Sequence, residues 1–440
     1  MEQEKEVSYP YQKLNYKMHL LLLTGQTLME WGAATDQIKN YLFRASVFME
    51  IPEGQMHSYI NYSTLMLNIN DDKHNSHTSF TKCRAHGVNM SGVSSINRLI
   101  WRATRKNFSL EKYEQELLRI KSKPRNYSFR WGMVGAGFVS GGLCKLFGAD
   151  LAACVCTFFC GMAGFLVRHL CVKYGFNQYA CITLASFAAT MLACFMQYAP
   201  FSATPIHPMI AASLFLIPGI PLLNAIDDML EGYLVSGITR IVNTLFAMAG
   251  IAFGIILALF LCGAGDITHV SIQPHELYFS HALAAVIVAI GLGITFNMPK
   301  RFLAVAAVGA ILAVNLRNLL TIQFHSNAIL ASFVAAAAVG IAAQIVNRWL
   351  QAPGGVLTIP AVIPLIPGVL LYRLIYALFT ISAIDSESLF ISIKNGVEAV
   401  TIITGLTIGI TIPILFFRPY LERYERQHIE ELLVKRYLDD

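Results

Sequence analysis

Two Pro-Gly steps sit inside apolar stretches at matching places, Leu216-Ile217-Pro218-Gly219 and Leu365-Ile366-Pro367-Gly368, 149 residues apart. Proline removes a backbone donor and clashes with the preceding turn, and glycine loosens the chain. Each step therefore strands main-chain amides and carbonyls. At membrane depth such groups are tolerated only where protein or a wet cavity surrounds them. Paired interruptions at matching places of two halves point to a ligand site. On this reading Pro218, Gly219, Pro367 and Gly368 receive polar groups through the main chain; kinked packing helices are the alternative.

Ionisable residues cluster close by. Asn224, Asp227 and Asp228 follow the first step directly. A carboxylate on an apolar helix costs roughly 2.5–3.5 kcal/mol on insertion scales and commonly marks an ion or proton path. Asp227, with Asp228 beside it, is the candidate for proton uptake, or for pairing with Arg240 or a bound ammonium; a solvated turn over 227–231 is the bland alternative. Glu398, near the start of the last apolar stretch, is a further candidate proton carrier. Arg168, Arg317 and Arg373 lie at or within apolar segments, and a guanidinium fork suits a carboxylate. Arg317 and Arg373, with Tyr372 and Asn224, complete the candidate substrate set, against snorkelling to the headgroups. Asn177, Thr183, Ser186, Asn327 and Ser332 either bond substrate or join helices.

Other chemistries find little support. His74, His77 and His86 have no zinc-motif spacing, and none of the nine cysteines forms a Cys-x-x-Cys pair. Eight of those cysteines lie in or beside apolar stretches, so a disulfide framework is not expected and no metal or cofactor is assigned. No Gly-rich loop ends in Gly-Lys-Ser/Thr, which leaves an ion gradient as the energy source for any pumping. An enzyme built on Asp227, Asp228 and His207 lacks a nucleophile–base–orienter spacing. The net charge of +6 carries no aromatic-interleaved basic stripe, so nucleic acid is not an expected partner.

These residues need elements to hold them. The chain of 440 residues is 55% hydrophobic and only 14% charged, against about 25% charged in soluble domains; its mean hydropathy is +0.52. Residues 1–129 carry many of the charges, whereas 130–417 are mostly apolar stretches about 20 residues long, enough to cross roughly 30 Å of hydrocarbon. The first apolar stretch, Met18–Leu23, is too short for a signal peptide. Within the N-terminal region, residues 13–50 read as amphipathic helix, Tyr59–Ile69 and Ser79–Val88 as strands around a turn at 70–73, and 94–121 as charged helix closed by Pro124. The expected fold is a small cytosolic α+β domain followed by about ten transmembrane helices.

Those spans are placed at 130–148, 151–171, 178–198, 207–223, 233–263, 277–297, 302–320, 327–347, 356–377 and 396–417. Positive charge in the alternate loops and in the C-terminal tail then puts both termini in the cytoplasm. Besides the Pro-Gly steps, Ala185-Ser186-Phe187 recurs as Ala331-Ser332-Phe333, and Arg168 is matched by Arg317. Five crossings per half is an odd number, so contiguous halves must enter from opposite sides: the fold class is mainly α-helical, with two inverted five-helix repeats. Many secondary transporters use such repeats for alternating access. Domains are expected at 1–129, 130–263, 264–417 and 418–440, in a bacterial inner membrane, with lipids as surroundings and homo-oligomerisation left open.

At this point the sequence resembles the threonine/serine exporter family. The matching stretches are GQTLMEWGAATDQI at 25–38, NMSGVSSINRLIWRATRKNFSLEKYEQELLRI, and FSATPIHPMIAASLFLIPGIPLLNAIDDMLEGYLVSGITR at 201–240. FNMPKR at 296–301 and IPAVIPLIPGVLLY at 359–372 resemble the family's separate small membrane module, here fused. The resemblance implies export of threonine and serine by the proton-motive force, as an antiporter and not an enzyme. Split-module relatives are associated with dicarboxylate (succinate) efflux, which is the alternative, and a passive metabolite channel is a second. Gln37-Ile38-Lys39 replaces an Arg-Val-Glu-like stretch of many members, whereas Gly32-Ala33 is retained.

Overall fold

A computed structural model describes residues 2–52, 54–70, 76–83, 86–195, 202–263, 279–350, 354–379, 381 and 385–439, without side-chain detail at 2–12, 347–350, 354, 372, 414–415 and 417–439. Two compact units emerge, one of residues 1–125, 224–240 and 417–440, the other of 126–223 and 241–416.

In the first unit the apolar periodicity of 13–50 folds as two helices, α1 (Glu2–Glu30) and α2 (Thr35–Phe48), where one was expected. The break lies at Gly32, whose φ of +79° is left-handed, a region that only glycine enters freely. A Cβ there would also meet the Gly87 carbonyl oxygen at 2.7 Å. The stretch read as one strand at 59–69 is divided by Asn61, whose Oδ1 accepts the Ser63 and Thr64 amides at 2.8 and 3.2 Å. The result is an antiparallel sheet of β1 (Met56–Ile60), β2 (Thr64–Asn70) and β3 (Ser76–Lys82) in that order; the second strand thus starts and stops earlier than expected, and most of the expected turn lies outside the described residues. Period-two burial sends Leu65, Leu67 and Ile69 of β2 into a core with Leu20, Leu28, Ile38, Leu42, Ile96 and Leu99.

The charged stretch 94–121 is likewise two helices, α3 (Met90–Arg105) and α4 (Leu110–Ser122). Asn107 takes a left-handed φ of 43° between them, and the Ser109 side chain caps α4 by accepting the Lys112 amide. Tyr113 of α4 is fully buried and its hydroxyl lies 3.1 Å from Thr24 of α1.

The remainder is helical: α5 (Phe129–Leu146), α6 (Leu151–Lys173), α7 (Gln178–Cys194), α8 (His207–Ala211), α9 (Gly219–Leu230), α10 (Leu234–Cys262), α11 (Phe279–Thr295), α12 (Lys300–Ile322), α13 (Ala328–Leu350), α14 (Gly354–Val362), α15 (Gly368–Phe379) and α16 (Ser386–Asp439). Among the described residues five of these are long and apolar enough to span a bilayer, or seven if each of two bent pairs is one span; α7 and α11 are apolar but shorter. The chain is a polytopic membrane protein. Ten crossings is more than length and hydropathy alone deliver.

Small residues let the membrane helices approach. Gly135 of α5 and Gly291 of α11 face one another so closely that a Cβ on either would lie 3.0 or 2.6 Å from the other's carbonyl oxygen. Ser186 of α7 donates to the Ile251 carbonyl of α10 at 3.1 Å, and Asn177 and Asn327 cap α7 and α13 by accepting the Tyr179 and Ile329 amides. Three of the five polar residues read as substrate ligands or helix joiners are therefore used in joining or capping.

Candidate functional site

Both Pro-Gly steps produce the same local structure. A 3-10 turn, Leu214–Leu216 or Ile363–Leu365, runs into an isoleucine with ψ of 124°, after which α9 or α15 restarts. The glycine amide closes onto that isoleucine carbonyl at 2.8 Å in both places. The proline carbonyl then accepts from the new helix, from Leu222 at 3.1 Å and from Leu370 at 3.1 Å. The two helix axes bend by 59° and 62° at these points. The carbonyls of Pro218 and Pro367 and the amides of Gly219 and Gly368, among the main-chain groups read as receptors, thus find partners within the break.

What the breaks do instead is meet. A Cβ on Gly219 would lie 3.2 Å from Ile363 and Ile366, and one on Gly368 would overlap the tip of Ile217. Each glycine therefore accommodates the isoleucine that precedes the other break.

The polar candidates divide into two groups. Asn224, Asp228, Ser236 and Arg240 all turn toward the loop between α1 and α2. Asn224 donates to the Gly32 carbonyl at 3.1 Å, and Arg240 donates to that of Ala33 at 3.1 Å. Asp228 is 1% exposed and accepts the Thr35 amide at 3.0 Å, the Thr35 hydroxyl at 2.9 Å and the Ser236 hydroxyl at 2.8 Å. Its fourth partner is Arg240, with Nε at 2.8 Å. The carboxylate thus sits at the amino end of α2, where the helix field favours an anion. Arg240 also lies over the Tyr62 ring, which stacks on His86 at 3.9 Å. Burial, and then the Arg240 charge, lower the His86 pKa to about 4. Asp227, next in sequence, is half-buried.

The second group lies at the carboxyl end of α12 and on α15 and α16. Arg317 is half-buried with its Nε enclosed and without a hydrogen-bond partner; the same holds for Asn315 Oδ1 and for Asn318 Nδ2, and Asn318 is 3% exposed. Leaving such a group unmatched costs about 1–3 kcal/mol. Glu398, half-buried on α16, is near enough for its charge to act on Arg317. Two residues before it on α16, Gly396 packs on Leu374, with Leu374 Cβ 3.1 Å from where a Cβ on Gly396 would stand. That contact brings Arg373, the neighbour of Leu374, to the same end of the helix cluster. The Tyr372 side chain lies outside the described residues.

Asn315 and Asn318 were not singled out from sequence, although Asn315-Leu316-Arg317-Asn318 places three polar residues in four positions of an apolar helix. Arg168, which the repeat equates with Arg317, is exposed. Thr35 and Ser236 gave no signal, since an isolated hydroxyl does not announce a partner about 200 residues away. Among the described residues no cluster of three or more metal-binding side chains occurs.

Comparison with known proteins bears on these geometries. A family model described as "Putative threonine/serine exporter" matches residues 19–262, and a second, "Threonine/Serine exporter, ThrE", matches 281–416. The chain is similar to the "Probable succinate transporter subunit YjjP" of Escherichia coli K12, 26% identical over 56% of this chain and 94% of that protein. It is also similar to the "Probable threonine/serine exporter" of Mycobacterium tuberculosis, 23% identical over 76% of this chain and 64% of that one. The "Threonine/serine exporter" of Corynebacterium glutamicum is 20% identical over 82% and 75%. No solved structure matches.

Proposed function

The chain belongs to the threonine/serine exporter family, and from that premise we propose that it exports threonine and serine by proton-coupled alternating access of two inverted halves. The observation that carries this reading is the reciprocal contact of the two broken helices, Gly219 against Ile363 and Ile366, Gly368 against Ile217. Two identical kinks meeting head to head give a constriction that opens toward one side as the halves rock, the motion inverted repeats permit. Arg317 and Arg373 take the substrate carboxylate, and Asp227 takes up the driving proton. Asp228, held by three donors and the Arg240 ion pair, fixes 224–240 to the N-terminal fold. Residues 1–125, 224–240 and 417–440 form one unit, and 1–125, 224–232 and 418–440 fall on one side of the membrane in a ten-span topology with cytoplasmic termini. That agreement supports cytoplasmic termini.

A dicarboxylate is the second reading, favoured by the name of the Escherichia coli relative and by two arginines at one end of the helix cluster. Counterflow in proteoliposomes separates the two. Labelled threonine should accumulate against its gradient when a pH gradient is imposed, and serine should compete. Accumulation of succinate alone would overturn the substrate, and equilibration without accumulation would overturn proton coupling.

A further inference from the structure

Many buried polar side chains elsewhere in the membrane unit are satisfied within the protein, as when Ser140 donates to the Ala212 carbonyl, Thr157 to Ala153, Ser186 to Ile251 and Thr407 to Ile403, while single hydroxyls such as those of Thr190, Ser213 and Ser332 are enclosed without a hydrogen-bond partner. The Asn315-Leu316-Arg317-Asn318 run gathers three such atoms within four residues near one helix end. The repeat sharpens the contrast. Arg168 stands 149 residues before Arg317 and is exposed. Asn224 stands at the same offset before Arg373 and donates to the Gly32 carbonyl. In the first half, therefore, the equivalent positions face outward or hold the N-terminal fold. In the second half, Arg317 has its Nε enclosed without a hydrogen-bond partner.

We infer that Arg317, Asn318 and Glu398 form a subsite for a zwitterion, in which Arg317 and Asn318 hold a carboxylate and Glu398 holds the ammonium of the same molecule. Guanidinium and amide N–H groups only donate, so the ligand atom they suit is an acceptor, and an anionic one beside an arginine. The Glu398 charge acts on Arg317, and an ionised glutamate offers only acceptors, so it suits a cation. Asn315 Oδ1, a third unmatched group, is an acceptor for the ammonium or for a side-chain hydroxyl. An α-amino acid carries its two charges on adjacent carbons and fits this pair. A dicarboxylate would set its second negative charge against Glu398, so this glutamate is the residue that chooses between the two substrate classes. The inference rests on the exporter reading, which assigns substrate carboxylates to this end of the molecule.

The test is direct binding of labelled threonine and labelled succinate to the full-length purified protein in detergent, with counterflow run in parallel. Wild type should prefer threonine. Glu398→Gln should weaken threonine by about tenfold or more and bring succinate to equal or better affinity, because the repelling charge is gone. Arg317→Lys should weaken both ligands by about tenfold, because the charge stays but the fork is lost. Asn318→Ala, which keeps both charges, should weaken threonine by several-fold. Each variant is first checked for wild-type elution and melting temperature. Wild-type selectivity in Glu398→Gln, or unchanged binding in both Arg317→Lys and Asn318→Ala, overturns the subsite and leaves the exporter reading standing. Threonine binding with these losses but no exchange overturns the exporter reading and leaves the subsite standing. A wild type that binds succinate and not threonine, or neither, overturns the zwitterion assignment.

Discussion

At the scale of single residues, neighbouring carboxylates in one apolar stretch have different surroundings. Asp228 is enclosed by Thr35, Ser236 and Arg240, while Asp227 beside it is half-buried. Removing one member of a buried ion pair leaves the other charge uncompensated, a loss of about 3–5 kcal/mol. Asp228→Ala should therefore lower the melting temperature of the purified protein and speed exchange of the Thr35 amide. Unchanged melting and exchange would mean the pair holds nothing together. His86 gives a pH dependence whose sign follows from its neighbours. Its folded pKa of about 4 lies below the ordinary histidine value, so between about 6.5 and 4 the unfolded chain binds the extra proton. Stability from this site is complete above that window and falls as the pH drops through it. Thermal melts from pH 7.5 to 4 should lose less for His86→Phe than for wild type, since phenylalanine keeps the stack on Tyr62 and has no proton to gain.

At the scale of elements, the broken helices set the geometry. Pro218 and Pro367 lie between the 3-10 turns and the helices α9 and α15 that restart after them, and glycine permits close approach of the facing isoleucine. Adding a methyl group at Gly368 puts it where the tip of Ile217 now lies, and overpacking of this kind costs roughly 1–3 kcal/mol. Gly368→Ala should cut threonine exchange by about tenfold, a barrier change of roughly 1.4 kcal/mol. Combining it with Ile217→Ala, which withdraws the obstructing side chain, should restore much of the rate. No recovery in the double variant would mean that the two breaks do not act as a pair. The N-terminal elements follow the same logic of local punctuation, with Gly32, Asn61 and Asn107 each dividing a run that periodicity alone reads as continuous.

At the scale of the whole molecule, the proposed topology is a statement about which loops face which compartment. In a cysteine-free background, Tyr174→Cys should be labelled by a membrane-impermeant thiol reagent only after the membrane is opened, and Asp385→Cys from the outside of intact cells. Labelling of both from one side would end the inverted arrangement, because an odd number of crossings must separate these loops.

Hydropathy, charge placement and the two Pro-Gly steps were enough to settle from sequence that the chain is a helical membrane protein with a charged N-terminal fold. Those properties depend on composition and spacing along the chain, which the sequence contains directly. The family was legible for the same reason, in contiguous runs such as 201–240. The tertiary structure alone decided how equivalent residues differ. Arg168 and Arg317 are interchangeable in the repeat, yet one is exposed and the other has its Nε enclosed and feels the Glu398 charge. Asp228 reads as a membrane carboxylate until Thr35, 193 residues away, is found to cap on it. Burial and partner identity are set by which distant segments pack together, and no local pattern encodes that.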